Sequence, residues 1–146
     1  MKESLTEKSR LLLNMLRKNS RLKKSEIASA IGIKISSVST IMESIEKDLE
    51  IRYVSLVDYR QIGHSIRNAF IIEGKDENDG NVLEFLRSHE NINSLHRIEG
   101  GLYLADVIFR SMKDMADFTE AVSDCGGRIK KEYYIVEELK REEFEV

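Results

Sequence analysis

The chain has little cysteine and no long apolar run, and both absences narrow what it can be. Cys125 is the single cysteine among 146 residues, which excludes an internal disulfide and a cysteine-rich zinc site. No segment approaches the roughly 18 consecutive apolar residues that a membrane-spanning helix needs. The N-terminal stretch MKESLTEKSRLLL lacks the apolar core and small-residue cleavage site of a secretory signal. The sequence therefore predicts a cytoplasmic protein with no membrane attachment.

Catalytic patterns are also missing. His64, His89 and His96 fall in a linker, at a helix end and in a strand, and none has a second histidine or a cysteine at metal-ligand spacing. Nothing in the sequence resembles a phosphate-binding loop, a nucleophile dyad or a zinc site. We therefore predict no catalytic residues, no bound metal and no cofactor.

Charge is divided unevenly along the chain, although the whole carries only −3. Residues 1–60 contain 12 Lys/Arg against 8 Asp/Glu, a net of +4, and residues 61–146 contain 11 against 18, a net of −7. If the partner is duplex DNA, a basic N-terminal half can neutralise its phosphates, and an acidic C-terminal half is repelled by them. Because +4 is modest, useful affinity for DNA requires more than one copy of the chain.

Two short amphipathic helices, joined through a glycine, lie between Leu22 and Ile51. The first has Ile27, Ala28 and Ile31 on one face, and Gly32 follows where a tight turn needs positive φ. A second apolar stripe follows, formed by Val38, Met42, Ile45 and Leu49. This pattern predicts a helix-turn-helix. The opposite face of the second helix carries small polar side chains that allow close approach to a groove floor, namely Ser36, Ser37, Ser39, Thr40, Glu43 and Ser44.

The flanks of this pair complete a small domain. A helix over Leu5 to Lys18 precedes it, with Ser4-x-x-Glu7 as a capping box. After the pair, Ile51 to Leu56 alternates like a strand, as the wing of a winged helix-turn-helix requires. We predict this domain over residues 1–60, and a linker over Asp58 to Ser65 with Gly63 as its pivot.

Beyond the linker, the spacing of apolar residues changes between the period typical of strands and the period typical of helices. The resulting order of elements is β-α-β-β-α-β. The predicted strands are Arg67 to Glu73, Ile92 to Glu99, Tyr103 to Arg110 and Arg128 to Leu139. The pair Gly100-Gly101 fits a hairpin turn between the middle strands. This order predicts a ferredoxin-like domain over residues 61–146, in which two helices cover one face of an antiparallel sheet, and the whole chain is α+β.

The other sheet face must also be covered. The strands carry large apolar residues that two helices cannot all bury, and we expect a second subunit to stack sheet on sheet against them. The residues that suggest this interface are Phe70, Ile72, Tyr103 and Tyr133. The sequence thus predicts a homodimer.

The succession of motifs resembles the Lrp/AsnC family of bacterial and archaeal transcription regulators, and the resemblance covers nearly the whole chain. The matching residues are Leu12, Leu13, Leu16, Arg21, Glu26, Ile27, Ala28, Ile31, Gly32, Ile33, Val38, Met42, Ile45, Glu46, Ile51, Leu56, Val57, Asp58, Ile62, Gly63, Gly101 and Tyr103. The resemblance implies a dimer, and often an octamer, that binds double-stranded promoter DNA through its N-terminal domain. It also implies that the C-terminal domain senses an amino acid.

The DNA-binding residues depart from the family pattern. Ser39, Thr40 and Ile41 stand where relatives carry arginines, and Glu43 would face phosphates with the wrong sign. We expect DNA shape to supply much of the specificity, with hydroxyls of Ser36, Ser37, Ser39 and Thr40 near the bases. The expected phosphate contacts are Arg21, Lys23, Lys24 and Lys34, with Arg10 and Arg17 as further candidates. Lys34 replaces a capping serine, which predicts that the second helix starts at Ser36.

The region that would bind the amino-acid effector also departs from the family pattern. Relatives have acidic residues directly after the glycine that matches Gly101, whereas this chain has Leu102 and Leu104. An acidic group would pair with an amino-acid ammonium, and strand alternation places Asp106 on the face of Leu104 as a substitute. The candidate effector residues are Gly100, Gly101, Tyr103 and Asp106.

Two alternatives remain open. The chain could be an oligomeric scaffold of the same fold that has lost DNA binding, which its recognition helix without arginines would favour. It could also be an enzyme, because some proteins of this architecture decarboxylate tetrapyrroles with histidines in a basic, aromatic-rich pocket. A gel shift separates the first alternative from a regulator, and an absorbance scan for bound tetrapyrrole tests the second.

Overall fold

A computed structural model of the chain describes residues 5–74 and 79–146. It divides into two compact units, Met1–Leu56 together with Leu139–Val146, and Val57–Glu138. The first unit therefore includes a segment from the far end of the sequence. No helix in the described ranges combines the length and apolar character needed to cross a membrane.

The first unit contains three helices: α1 (Glu7–Lys18), α2 (Lys24–Ile31) and α3 (Ile35–Asp48). α1 begins two residues later than predicted, because Thr6 is its N-cap and the Thr6 hydroxyl accepts a hydrogen bond from the Ser9 N–H at 3.2 Å. Ser4, from the predicted capping box, lies outside the described residues.

The three helices bury one shared core, as the apolar periodicity predicts. Leu12, Ile27 and Val38 come one from each helix and are completely buried. The remaining buried members are Leu13, Leu16, Ala28 and Ile45. Because each helix loses its apolar stripe to this core, its opposite face is left at the surface.

The predicted wing strand is wrong. Residues 51–58 contain no strand, and Val54 and Leu56 are 74% and 56% exposed. Alternation alone cannot make a strand, because its backbone groups need a paired neighbour and no other strand lies in this unit's described residues. Tyr53 instead donates a hydrogen bond from its hydroxyl to Glu46 Oε1 at 2.6 Å. Burial and the Glu46 carboxylate raise the pKa of Tyr53 to about 12.

The second unit has the predicted ferredoxin-like element order. After a 3₁₀ turn at Tyr59–Ile62, its elements are β1 (Ile66–Gly74), α4 (Asp79–Ser88), β2 (Ile92–Ile98), β3 (Leu102–Phe109), α5 (Met112–Asp124) and β4 (Gly127–Tyr134). The four strands form one antiparallel sheet in the order β2-β3-β1-β4. β4 ends five residues before the predicted Leu139. Just after β4, the Ile135 N–H donates to the Arg67 carbonyl at 2.8 Å, close to the start of β1.

Both helices pack on one face of this sheet. Phe70, Ile72 and Tyr103 belong to that covered face and are fully buried. The prediction that these three residues line a subunit interface is therefore wrong. Period-two alternation separates the two faces of a strand, but only the packing of α4 and α5 decides which face is covered.

The open face consists of the alternate residues. The register pairs Ile71 with Leu104 and Ala69 with Asp106, which confirms that Asp106 lies on the face of Leu104. Tyr133 pairs with Ala69 on the same face and is 54% exposed. An apolar patch thus remains on the sheet face that no helix covers. Of the four residues named from the sequence, Tyr133 lies on this face, and the other side chains there are different ones.

Candidate nucleic-acid interface and effector region

The turn between α2 and α3 has the geometry expected of a helix-turn-helix. Gly32 adopts φ 72° and ψ 40°, the left-handed conformation that only glycine adopts without strain. The N–H groups of Gly32 and Ile33 both donate to the Ala28 carbonyl, at 2.9 and 3.0 Å. This turn satisfies a carbonyl at the end of α2 and directs the chain into α3.

α3 begins at Ile35, not at the predicted Ser36. Lys34 is its N-cap residue and provides no side-chain hydrogen bond to the first turn. A lysine has no acceptor atom, so it cannot satisfy the free N–H groups at a helix N-terminus. The cationic Lys34 side chain is instead exposed at the start of α3.

The polar face of α3 is accessible. Its stripe of Val38 and Ile45 is buried, whereas Ser36, Ser37 and Thr40 are exposed. The Thr40 hydroxyl donates back to the Ser36 carbonyl at 3.2 Å, so its proton is already engaged within the helix. The exposed hydroxyls of Ser36, Ser37 and Thr40 therefore lie in the N-terminal half of α3.

A contact between α2 and α3 links one predicted phosphate ligand to one predicted base-facing residue. The Lys24 ammonium donates to Ser39 Oγ at 3.0 Å. Arg21 and Lys23 are exposed just before α2, and the Lys23 N–H donates to Glu26 Oε2 at 2.7 Å. The structure thus groups the predicted cations at the N-terminal ends of α2 and α3, where helix dipoles also favour phosphate.

The Gly100-Gly101 turn is at the surface between β2 and β3. Both glycines have positive φ, 81° and 73°, and both are exposed. Leu102 and Leu104 then lie on the open face of the sheet, half-buried. The turn therefore lies at the surface beside apolar side chains.

Tyr103 follows the turn and lies on the opposite sheet face, the one that the helices cover, where its hydroxyl joins a polar cluster. Its hydroxyl donates to Asp79 Oδ1 at 2.7 Å and accepts from the Arg97 guanidinium at 2.7 Å. The Tyr103 hydrogen bond lowers the pKa of Asp79, while burial and Asp79 raise the pKa of Tyr103. Sequence reasoning missed Asp79 and Arg97, because neither position has a local signal that links it to Tyr103.

Asp106 already has strong partners. Both of its carboxylate oxygens accept from the Arg67 guanidinium at 2.7 Å, and Oδ2 also accepts from Asn93 Nδ2 at 2.8 Å. Arg67 further pairs with Glu138, and the Tyr59 hydroxyl donates to Asn93 at 2.7 Å. Asp106 is thus the centre of a network on the open face, not a free carboxylate beside the glycine turn.

Comparisons with known proteins agree with this architecture. Residues 5–48 match a family model described as winged helix-turn-helix DNA-binding. The chain is 32% identical over 122 residues to the uncharacterized HTH-type transcriptional regulator YugG of Bacillus subtilis, covering 78% of this chain and 73% of YugG. It is 25% identical to the HTH-type transcriptional regulator LrpA of Pyrococcus abyssi, covering 84% of this chain and 86% of LrpA.

The chain belongs to the Lrp/AsnC family of transcriptional regulators. Its fold also matches the crystal structure of the transcriptional regulator NMB0573 of Neisseria meningitidis in complex with L-Met. That match has a TM-score of 0.83 at 18% identity, and covers 94% of each chain.

This Lrp/AsnC protein also has a polar cleft of about 750 Å³ in its second unit, which brings two of the three isolated histidines together. The Arg110 guanidinium donates to His64 Nε2 at 3.2 Å, and His89 Nδ1 accepts from the Asn91 N–H at 3.2 Å. His96 lies on the open face opposite Leu104. Within residues 5–74 and 79–146, no group of side chains has a composition that could hold a metal ion.

Proposed function

We propose that this transcriptional regulator binds duplex DNA with the exposed hydroxyl face of α3, and that cations at the starts of α2 and α3 hold the phosphates. The observation that carries the proposal is the burial of the α3 apolar stripe against α1 and α2. It leaves Ser36, Ser37 and Thr40 exposed, with Lys34 beside them. A helix of this kind presents its N-terminal residues to a major groove.

The chemistry of this surface favours readout of DNA shape. Serine and threonine hydroxyls discriminate among bases less sharply than a bidentate arginine. Glu43 is exposed on the same helix and repels phosphate. We infer that the cations Arg21, Lys23, Lys24 and Lys34 supply the affinity, and that the deformability of the sequence supplies much of the specificity.

Fluorescence anisotropy with DNA from upstream of the protein's own gene tests this surface. The double variant Lys23→Glu with Lys24→Glu should weaken binding to every sequence and reduce the slope of log affinity against log salt. Ser37→Ala should change the preference among sequences more than the overall affinity. Lys113→Glu, in the second unit, makes the same kind of charge change elsewhere and should have little effect.

Two results would contradict this proposal. If the wild type retains no DNA at about 50 mM salt, a condition in which phosphate contacts are strong, DNA binding is wrong for this chain. The scaffold alternative would then replace it, because the second unit would remain an assembly module. A loss of binding in Lys113→Glu equal to that of the double variant would contradict the assignment of the surface.

We also propose that the open sheet face forms the subunit interface. Ile71, Leu102 and Leu104 are half-buried apolar side chains on a face without helices, and Ile108 lies beside them. A second copy that stacks on this face removes them from water. A dimer also doubles the modest positive charge available to DNA, and further association of dimers would give the octamers common in the family.

For the effector we propose an apolar amino acid at the Gly100-Gly101 turn. Support comes from the exposed glycine backbone beside Leu102, where N–H groups can hold a carboxylate, and from the L-Met complex of the related NMB0573. Asp106 is paired with Arg67, so we expect the ammonium to find another acceptor.

A thermal-shift screen of the twenty amino acids tests the effector site. A ligand at a hundredfold excess over its Kd adds about 2.7 kcal/mol of stability. Gly101→Val should abolish the shift, because valine cannot adopt φ 73° without strain, whereas Gly80→Ala at the start of α4 should retain it. If no amino acid moves the wild-type midpoint, or if Gly101→Val keeps the shift, the turn is not an effector site.

We infer no catalytic role and place the protein in the cytoplasm. The curated relatives that it matches are transcriptional regulators. The histidines of the polar cleft have arginine and backbone partners and are not paired with each other by any hydrogen bond among the described residues. An absorbance scan of the purified protein that found bound tetrapyrrole would contradict this inference.

A further inference from the structure

The C-terminal end of α1 contacts an acidic segment from the other end of the chain. The Asn14 side-chain amide forms two hydrogen bonds with the backbone of Val146: Nδ2 donates to the carbonyl at 3.2 Å, and the N–H donates to Oδ1 at 2.9 Å. The Arg17 Nε donates to the Phe144 carbonyl at 2.9 Å. Arg17 Nη2 also donates to the Glu142 carbonyl at 3.4 Å. Side chains of α1 therefore hydrogen-bond to the backbone of residues 142, 144 and 146, in a segment that bends at Glu142.

Charge complements the backbone contacts. Lys18 Nζ lies 2.7 Å from Glu145 Oε1, and Arg17 Nη2 lies 3.7 Å from Glu142 Oε2. The Lys18 ammonium also lowers the pKa of Glu145. We call residues 142–146 the acidic strap, since three of these five residues are glutamates.

The strap contributes little apolar burial. Phe144 is 75% and Val146 41% exposed, and both partners of the Lys18–Glu145 pair are well exposed. Exposed ion pairs are individually weak and are screened by salt. Such a contact holds the segment at low ionic strength, and another polyanion can displace it.

Arg17 and Lys18 are also close to the proposed phosphate-binding surface along the chain. α1 ends at Lys18, and a short turn leads to Arg21 and Lys23 at the start of α2. While the strap is bound, glutamate carboxylates occupy two cations that could otherwise contact phosphate.

We propose that the C-terminal end of α1 is a docking surface for an acidic peptide, occupied within the chain by residues 142–146, and that this strap competes with DNA for Arg17 and Lys18. The proposal rests on the proposed function only for the identity of the competitor. The strap lowers DNA affinity at low salt and is released when duplex DNA binds.

Asn14→Ala provides a test without a change of charge. It removes both hydrogen bonds to Val146 and leaves every cation in place, so the strap should loosen and DNA affinity should rise about threefold or more at about 50 mM salt. Asn81→Ala, at an exposed asparagine of α4, is the matched control and should leave affinity unchanged.

Charge variants give a second, independent comparison in the full-length protein. Glu142→Gln with Glu145→Gln removes both ion pairs and should raise DNA affinity. It should also steepen the salt slope by about one to two, since each added phosphate contact contributes about 0.9. Glu137→Gln with Glu143→Gln makes the same change in net charge outside these two ion pairs. Equal effects of the two double variants would overturn the strap in favour of a general charge effect.

The rate of trypsin cleavage after Lys140 or Arg141 measures release of the strap, and this measurement does not depend on DNA binding by the protein. Cleavage should be slow in the wild type at low salt and faster in Asn14→Ala, and addition of heparin or duplex DNA should accelerate wild-type cleavage. If heparin accelerates cleavage but DNA does not bind, the strap stands and the proposed function fails. Equal rates in the wild type and Asn14→Ala would overturn the strap itself, and protection that depends on protein concentration would overturn its assignment within one chain.

Discussion

Arg67 and Asp106 form a two-point ion pair on the open face of the sheet, with both N···O distances at 2.7 Å. Their side chains are only 22% and 15% exposed. The neighbouring hydrogen bonds extend to Tyr59, before β1, and to Glu138, after β4. Both segments that lead out of the second unit are therefore tied to this pair.

We predict that Asp106→Ala lowers the free energy of unfolding of the second unit by about 2–3 kcal/mol, because the poorly hydrated Arg67 guanidinium loses its two-point partner and keeps only the pair with Glu138. Arg67→Met should have an effect of similar size, and the double variant should lose about 1–2 kcal/mol less than the sum. Urea denaturation followed by circular dichroism measures these values. Glu73→Ala, which breaks the more exposed pair with Arg128, should lower stability by about 0.5 kcal/mol, and a larger loss there would contradict this ranking.

Replacing the N-cap of α3 should separate stability from DNA affinity. Lys34→Ser supplies the acceptor that the first turn lacks, and should stabilise the first unit by about 0.5–1 kcal/mol. The same change removes a proposed phosphate contact and should weaken DNA binding. Lys34→Gln removes the charge and is a poor cap, so it should weaken DNA binding without raising the thermal midpoint. Equal stability of Lys34→Ser and Lys34→Gln would show that the missing N-cap hydrogen bond does not limit the stability of the first unit.

A glutamate introduced on the open face of the sheet should have a different effect from one introduced under the helices. Leu104→Glu or Ile71→Glu, on the open face, should shift the light-scattering mass from dimer to monomer and leave the circular dichroism spectrum native. Ile72→Glu should instead unfold the second unit, because Ile72 is fully buried under the helices. A Leu104→Glu protein that kept the wild-type mass would contradict the open face as the subunit interface.

The stability of the second unit should fall as the pH drops below about 6.5, the ordinary pKa of histidine. Burial against Phe85 and Phe118 lowers the pKa of His89, with a smaller opposing effect from Glu90. Since the unfolded chain binds a proton more readily at this position, acidification favours unfolding. Denaturation midpoints from pH 7.5 to 5 measure the slope. His89→Gln should flatten it, whereas His96→Gln, at an exposed position on β2, should not.

Local pattern was sufficient to predict most elements. The period of Leu12, Leu16, Ile27 and Val38 identified the core of the first unit, because a helix buries one stripe whatever it packs against. The left-handed turns at Gly32 and Gly100-Gly101 were predictable for a similar reason, since only glycine adopts such a conformation readily. The wing failed, because a strand depends on a partner that alternation does not specify.

The sequence by itself determined the three helices of the first unit, the order of elements in the second unit and the Lrp/AsnC resemblance, all of which depend on residues close together in the chain or on their succession. Tertiary structure alone decided which alternate residues of the sheet face the helices, and so placed Tyr103 in the core and Leu104 on the open face. It also gave Asp106 a partner 39 residues away, and Asn14 a partner 132 residues away. No local pattern encodes these pairs, because each forms only when folding brings distant segments of the backbone within hydrogen-bond distance.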